Sequence, residues 1–466
     1  MPGHRLRLTA ATVFGIALVL VSMLGNRASS AEQGDLLLPA ENERPTRYEV
    51  EYPAIGYSTV RPSERIAMLQ FELDRGATTL AFDETHGYLT AVLGALDIDP
   101  ASQLLVFSKT SINKTHILPS RPRAIFFNDD TYVAIVPGAG MLEIATMDPQ
   151  LGPLFFILEQ RAAATPQFDR QTVQCLRCHD SLTMTGGGVP RFILGSGYVD
   201  TQSNLVSHEG WILTSPKTPF RFRWGGWYVT GNHGDLAHLG NIVVRDAAEL
   251  QDLERLRIYN RNTLDGLIET EFYPTSHSDI VALLVIEHQV HVQNLITRVN
   301  YDVRTMIAKD AQRNIDDNNR NDRFVSEEMK LLIEETTEPL VNALLFADEA
   351  ELTDPVTGST NFTRLFERRG PYDGMGRSLR QFDLRTRTFR YPLSYLVYSE
   401  AFDALPRIAR DYIYRRFAEM LGDERGDAAV ARLRPGEREV ILDILRATKP
   451  DFAAREDAGF AYPDER

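Results

Sequence analysis

The two cysteines of the chain lie close together, in the run Cys175-Leu176-Arg177-Cys178-His179. A cysteine pair with this spacing can form a disulfide, act as a redox dithiol, or attach a cofactor through both sulfur atoms. A zinc site would need two further ligands at a recognisable spacing, and the sequence holds no second cysteine pair. The histidine that directly follows the second cysteine distinguishes between these uses.

An imidazole in this position favours covalent haem attachment. Two thiols at this spacing can form thioethers with the two vinyl groups of haem, and His179 then lies where it can bind the iron as an axial ligand. The sequence therefore predicts one haem c, attached through Cys175 and Cys178. A redox dithiol and a structural disulfide are the alternatives.

This pentapeptide resembles the haem-attachment motif of the c-type cytochromes. The resemblance covers Cys175 to His179 and a few flanking residues. It implies a covalent haem, ligation by His179 and redox chemistry, but neither a fold nor a substrate. The chain is several times longer than a small electron carrier needs, and its later stretches look like those of larger exported proteins with a cytochrome c domain.

The first residues have the three parts of a signal peptide. Arg5 and Arg7 precede an apolar run at residues 10–24, and small residues follow up to Ser29-Ser30-Ala31. Cleavage after residue 31 predicts a periplasmic or otherwise exported protein without a stable membrane span, in the compartment where bacteria attach haem c. The alternative is an uncleaved anchor, although the run is short for a span, which needs roughly 20 apolar residues.

The composition is that of an acidic globular protein. The 466 residues include 64 acidic and 50 basic side chains, for a net charge of -14, and 43% are hydrophobic. Removal of residues 1–31, which carry three arginines and no acidic residue, makes the charge -17. Such a charge argues against binding to nucleic acid and to anionic membranes, and it favours a basic protein as the redox partner.

Short apolar runs in the region 47–164 predict an antiparallel sheet. Asn128-Asp129-Asp130 is typical of a hairpin turn between two of these runs, and a second turn is predicted at residues 148–152. The predicted strands are 104–107, 124–127, 132–136, 142–145 and 154–158.

The remaining chain divides into two regions of different composition. Residues 165–241 are rich in glycine and aromatic residues and are predicted to wrap the haem, whereas residues 242–466 have mainly helical periodicity. The predicted fold class is therefore α+β. The predicted helices are 278–306, 326–346, 404–421 and 437–447, and an exposed loop is predicted at 310–323.

A cluster of basic and aromatic residues in the glycine-rich region could contact the haem. Arg221 and Arg223 could bind the propionates, since guanidinium groups match carboxylates, and Trp224 and Trp227 could pack on the ring edge. An aromatic core cluster with surface arginines is the equally weighted alternative. The arginine-rich run at residues 377–390 is a weaker candidate for the same role.

The ligand on the opposite side of the iron decides between electron transfer and catalysis. His208, His233 and His238 are candidates, because histidine is a common haem ligand and the glycines near the last two allow close approach to a flat cofactor. Met184 is close to His179 in the sequence, and so short a connection favours a packing role for it.

The longest predicted helix offers a second set of distal candidates. His288 lies on its apolar face. An adjacent polar stripe contains Glu287, His291, Asn294 and Arg298. The ordinary interpretation is a hydrogen-bonded core histidine beside a solvated face. The alternative is that His288 or His291 approaches the haem, with Glu287 and Arg298 serving proton transfer or peroxide polarisation.

Two main functions follow from these patterns, and a ligand sensor or a scaffold within a larger respiratory assembly is a third. The first is an exported protein that carries electrons through one haem c. The alternative is a haem enzyme of peroxidase or oxidase type, served by Glu287, His288, His291 and Arg298.

Overall fold

The computed structural model describes residues 50–206, 210–246, 248–249, 260–316, 326–422 and 430–458. The predicted signal peptide and His208 lie outside these residues. The helices are α1 (Arg65–Asp74), α2 (Leu89–Ala95), α3 (Leu176–His179), α4 (Leu182–Thr185), α5 (Ile280–Asp316), α6 (Glu327–Leu344), α7 (Phe362–Arg368), α8 (Glu400–Asp403), α9 (Arg407–Gly422), α10 (Glu437–Thr448) and α11 (Pro450–Asp457).

One antiparallel sheet of six strands forms the N-terminal part of the molecule, and two small two-stranded sheets follow it. The six strands pair in chain order, so each connection joins neighbours. Their bounds are β1 (Leu104–Val106), β2 (Arg123–Phe127), β3 (Thr131–Ile135), β4 (Met141–Asp148), β5 (Gly152–Glu159) and β6 (Phe168–Arg170). The small sheets pair β7 (Gly195–Gly197) with β8 (Trp211–Leu213), and β9 (Gly231–Asn232) with β10 (Thr357–Gly358).

The predicted α+β class is confirmed. The five predicted strands correspond to β1 to β5, and the predicted hairpin turn at Asn128 joins β2 to β3. That turn forms because the Asn128 side chain accepts hydrogen bonds from the backbone N–H groups of Asp130 and Thr131. β6 pairs with β5, so the sheet continues past residue 164, where the sequence suggested a boundary.

The helix α5 crosses the middle of the molecule and is buried over most of its length. It spans 37 residues, and three of its buried polar side chains bond to backbone carbonyls at the turns of the sheet. Gln289 donates to the carbonyl of Asn128, Gln293 donates to that of Asp129, and the Tyr301 hydroxyl donates to that of Leu151. These bonds fix the helix against the ends of the strands while keeping these three polar side chains paired.

Both ends of α5 differ from those of the helix predicted at 278–306. The helix begins after Asp279, whose carboxylate accepts from the backbone N–H of Val281 at 2.8 Å, as an N-terminal cap does. It continues to Asp316, so the prediction of an exposed loop from residue 310 is wrong for the part that the structure describes. The helix can include the polar side chains there, because residues 310–316 contain no glycine or proline that would end it.

The other predicted C-terminal helices are present as α6, α9 and α10. In the described part of the chain, one helix, over Ile280–Arg313, is long and apolar enough to cross a membrane, but 83% of its most apolar window is buried inside the protein. A continuous hydrophobic core joins side chains from the sheet, the glycine-rich region and the helices.

The side chain of Asp279, which caps α5, has a second partner, so its substitution tests the fold. The other carboxylate oxygen of Asp279 accepts from the backbone N–H and the hydroxyl of Thr360, at 2.8 and 2.7 Å. We expect Asp279→Ala to lower the free energy of unfolding by about 2 to 3 kcal/mol, since it removes a cap and leaves buried donors unpaired. Urea unfolding followed by circular dichroism measures this. Asp457→Ala, an exposed site at the end of α11, is the control, with an expected change within about 0.5 kcal/mol; equal losses in the two variants would contradict the role of the cap.

A candidate haem cavity at the cysteine motif

The cysteine motif folds as one helical turn. The backbone N–H groups of Cys178 and His179 both donate to the carbonyl of Cys175. Residues at positions i, i+3 and i+4 of a helix lie on the same face, so both thiols and the imidazole point to one side. Leu176 on the other side is buried in the core, and this contact holds the turn in place.

The two cysteines and His179 line a cavity of about 890 Å³. This is near the upper end of the range of about 300 to 1,000 Å³ that is usual for small-molecule sites, and it suits a large flat cofactor. The cavity lies between one face of the six-stranded sheet, the loops after the motif and two residues of α5, Ile286 and Val290.

The wall that the sheet contributes is apolar because of its register. Side chains alternate along each strand, and Ala145 is paired with both Tyr132 and Phe155 in the neighbouring strands. These side chains therefore lie side by side on one face. The wall includes Ile125, Tyr132, Ala134, Ala145, Phe155 and Ile157.

His179 has a fixed orientation and one nitrogen available to a metal. Its Nδ1 lies 2.7 Å from the carbonyl oxygen of Arg191, so Nδ1 carries the proton and donates. Nε2 is then the nitrogen with a lone pair. The imidazole also packs on the Phe155 ring, with centroids 4.3 Å apart. Burial lowers the pKa of His179 to about 4, so the ring is neutral near pH 7, as a metal ligand must be.

A glycine-rich turn brings Arg191 back to the motif. Gly186, Gly187 and Gly188 all have positive φ angles of 70 to 83°, a conformation that side-chain-bearing residues rarely adopt. The chain reverses there, and the backbone N–H of Arg191 donates to the carbonyl of His179 at 2.8 Å. The ring and backbone of His179 thus both bond to Arg191.

The thiol groups lie in a poorly solvated environment. Burial, with a contribution from the nearby Glu143, raises the pKa of Cys175 to about 12. No disulfide joins Cys175 to Cys178 in this structure. A protonated thiol is a weak nucleophile towards oxidants, so this environment does not favour a reactive dithiol of low pKa.

Basic side chains line the cavity together with this apolar wall. Lys109, Lys114 and Arg123 contribute to the lining, and Arg123 pairs with Glu143 at 3.2 Å. Glu143 also accepts from the amide of Asn113 at 2.8 Å. Cationic groups beside an apolar space are suited to a ligand that combines an apolar body with carboxylates.

The arginines that the sequence suggested for the propionates lie elsewhere. Arg223 is buried and donates to Glu287 at 2.9 Å, and Arg221 is exposed and packs on the ring of Phe222. Among the four suggested haem contacts, Trp227 lines the cavity, and its indole N–H donates to the carbonyl of Gly195.

Trp224 belongs to a neighbouring aromatic cluster. It packs edge-on against His238 with ring centroids 5.2 Å apart, and against Phe220 at 5.8 Å. The close approach of this segment to β7 requires Gly225, because a Cβ atom there would come within 2.6 Å of the Gly197 carbonyl oxygen. Trp224 is therefore part of an aromatic core cluster, which was the alternative to a haem contact.

The candidate distal histidines that the structure describes do not line the cavity. His233 and His238 are buried and face each other, with their Nε2 atoms 3.2 Å apart. His288 is enclosed by aromatic rings and hydrogen-bonds Ser394 through Nε2 at 2.7 Å. Met184, expected to have a packing role, is a lining residue.

The polar stripe of α5 faces other segments of the chain. Glu287 forms a buried ion pair with Arg223, and burial nevertheless raises its pKa. His291 is half-buried, and burial together with Lys217 lowers its pKa to about 4. Arg298 donates to the carbonyl of Gly187 at 3.1 Å. These candidate catalytic groups are therefore not part of the cavity lining.

Sequence reasoning missed most of the cavity wall. Arg123, Glu143 and Phe155 belong to strands whose pattern identified them as a sheet but not as the neighbours of His179. The available signal was a charged residue among apolar neighbours in each of two strands, Arg123 in β2 and Glu143 in β4. Their pairing depends on a strand register that the pattern alone does not determine.

Comparison with other proteins adds no further evidence. No protein-family model, curated protein or solved structure matches the chain.

The buried pair of Arg223 and Glu287 predicts a large effect of a single substitution. We expect Arg223→Ala to lower the free energy of unfolding by about 3 to 5 kcal/mol, because it leaves a buried carboxylate without its counter-charge. Arg221→Ala, an exposed site two positions away, is the matched control, with an expected change within about 0.5 kcal/mol. Urea unfolding measures both. The interpretation of Arg223 as a structural cation fails if the two substitutions have the same effect.

Proposed function

We propose that this protein is an exported c-type cytochrome that carries electrons through one covalently bound haem. The observation that carries the proposal is the shared orientation of Cys175, Cys178 and His179 towards a single large cavity with an apolar wall. Bound there, haem c supplies an iron atom that changes reversibly between the ferric and ferrous states.

The residues of the cavity fit this group in three respects. Both thiols lie on the side of the helical turn that lines the cavity, where they could form thioethers with the haem vinyl groups. His179 keeps Nε2 available by donating from Nδ1 to a backbone carbonyl. The apolar wall around Phe155 would keep water away from the haem ring. Lys109 and Lys114 are the side chains that we assign to the propionates, in place of Arg221 and Arg223.

The partner and compartment belong to the same proposal. The acidic charge, -14 for the full chain and -17 after removal of residues 1–31, favours a basic redox protein as the partner, and the signal-peptide pattern at the start of the chain favours the periplasm. The protein would then take up and release electrons through the edge of the haem, without substrate chemistry of its own.

Covalent attachment is the first point to test. Expressed in a bacterium with an active haem c attachment system, the wild-type protein should keep its haem after denaturation and gel electrophoresis. The double variant Cys175→Ser and Cys178→Ser should lose it, since the chain has two cysteines. Each single variant should keep the haem through one thioether, with a shifted pyridine haemochrome band. Absence of covalent haem from the wild-type protein would overturn the proposal.

A second candidate function is a haem enzyme with an open site opposite His179. One observation favours it: within the described residues, the lining contains no histidine other than His179 and no methionine other than Met184. Met184 follows His179 by a short connection, for which a packing role is expected. A ligand opposite His179 is thus not evident in the cavity wall.

The ferric spectrum separates the two functions. The electron carrier predicts a low-spin haem that cyanide does not change, because both axial positions are held by the protein. A high-spin haem that binds cyanide and reacts with peroxide would replace this proposal with the enzyme. Met184→Leu tests the one methionine in the wall, with the exposed Met375→Leu as the matched control. A change of spin state in the first variant alone would identify Met184 as a ligand.

A further inference from the structure

We infer that Asn294 of α5 is a positioning residue for His179 and thereby tunes the reduction potential of the haem. The inference rests on the proposed function, because it concerns the ligand of the bound iron. It assigns a role to a side chain more than 100 positions from the motif in the sequence.

Asn294 holds the backbone of Phe192 at two points. Its Oδ1 accepts from the Phe192 N–H at 2.8 Å, and its Nδ2 donates to the Phe192 carbonyl at 2.9 Å. An amide side chain bound in this way replaces both hydrogen bonds that a neighbouring strand would make. Phe192 is buried and Asn294 is partly buried, so removal of Asn294 takes away the protein partner of both backbone groups.

The residue before Phe192 is the hydrogen-bond acceptor of His179. The carbonyl of Arg191 lies 2.7 Å from Nδ1 of the imidazole. Movement of the Phe192 backbone moves this carbonyl, since one peptide unit joins the two residues. The Phe192 ring also lines the cavity and lies against Phe155, with centroids 6.3 Å apart, and Phe155 packs on His179. The position of the imidazole therefore depends on Phe192 in two ways, through the Arg191 carbonyl and through the Phe155 ring.

A second side chain of α5 holds the other end of the same segment. Arg298 donates to the carbonyl of Gly187 at 3.1 Å, one helical turn after Asn294. Residues 187–192, which we call the clamped segment, are thus attached to α5 at both ends. Gly187 and Gly188 within it have positive φ angles and little intrinsic rigidity. The bonds from α5 supply the rigidity that these glycines lack.

The bond at Nδ1 affects the iron through the imidazole. A short Nδ1–H to carbonyl bond increases the electron density that Nε2 donates to a metal, and this stabilises the ferric state. Loosening of the clamped segment weakens the bond, so the ferrous state gains in relative stability. Loss of Asn294 should accordingly raise the reduction potential.

The test compares reduction potentials of haem-loaded variants. We expect Asn294→Ala to increase the equilibrium constant for reduction by about three- to tenfold, where tenfold corresponds to about 59 mV for one electron. Asn294→Ser introduces no charge and keeps a hydroxyl that can replace one of the two hydrogen bonds to Phe192, and a smaller increase is expected. It decides the question alone if the alanine variant does not fold.

Asn300→Ala is the matched control. Asn300 is on the same helix, and its amide also donates to a backbone carbonyl, that of Pro149 at 3.4 Å. We expect this variant to lose stability in thermal unfolding and to keep the wild-type potential. A potential that is the same in both Asn294 variants and in Asn300→Ala would overturn the inference while leaving the proposed function intact. A wild-type protein without covalent haem would overturn both.

Discussion

The buried helix α5 imposes the constraint on which the rest of the structure depends. A helix that crosses a protein interior must pair every polar side chain that it buries, because an unpaired buried polar group is costly. The buried side chains of Gln289 and Gln293 and the partly buried side chain of Asn294 bond to backbone groups of other segments. Each bond fixes one turn or loop relative to the helix. The sheet and the segment after the cysteine motif are therefore positioned by the same element.

Local features of the fold were predictable from the sequence. The strands β1 to β5 show as short apolar runs, and Asn128-Asp129-Asp130 has the residue types of a turn. The end of α5 was not predictable in the same way. Polar residues after Asp310 resemble a loop in composition, yet the helix continues through them to Asp316. Composition describes the environment of a residue, whereas helix continuation depends on backbone hydrogen bonds and on the absence of a residue that ends the helix.

The candidate site was predictable only in its motif. Cys175, Cys178 and His179 follow one another closely, and their shared face results from a single helical turn. The rest of the cavity comes from strands, loops and α5, whose mutual placement depends on register and packing. His288 was a candidate haem ligand because histidine binds many metals. In the fold, His288 is satisfied by Ser394 and enclosed by aromatic rings, which is the commoner fate of a buried histidine.

The order of the cavity components along the chain has a consequence for assembly. The strands that make the apolar wall precede the cysteine motif, and the helix α5, with Ile286 and Val290 in the lining, begins only at Ile280. In a chain in which α5 has not yet packed against the sheet, both thiols are therefore open on the side that this helix later covers. A bulky planar molecule can reach the sulfur atoms from that side, and the packing of α5 then encloses it. Access during maturation is thus separated in time from exclusion of water in the finished protein.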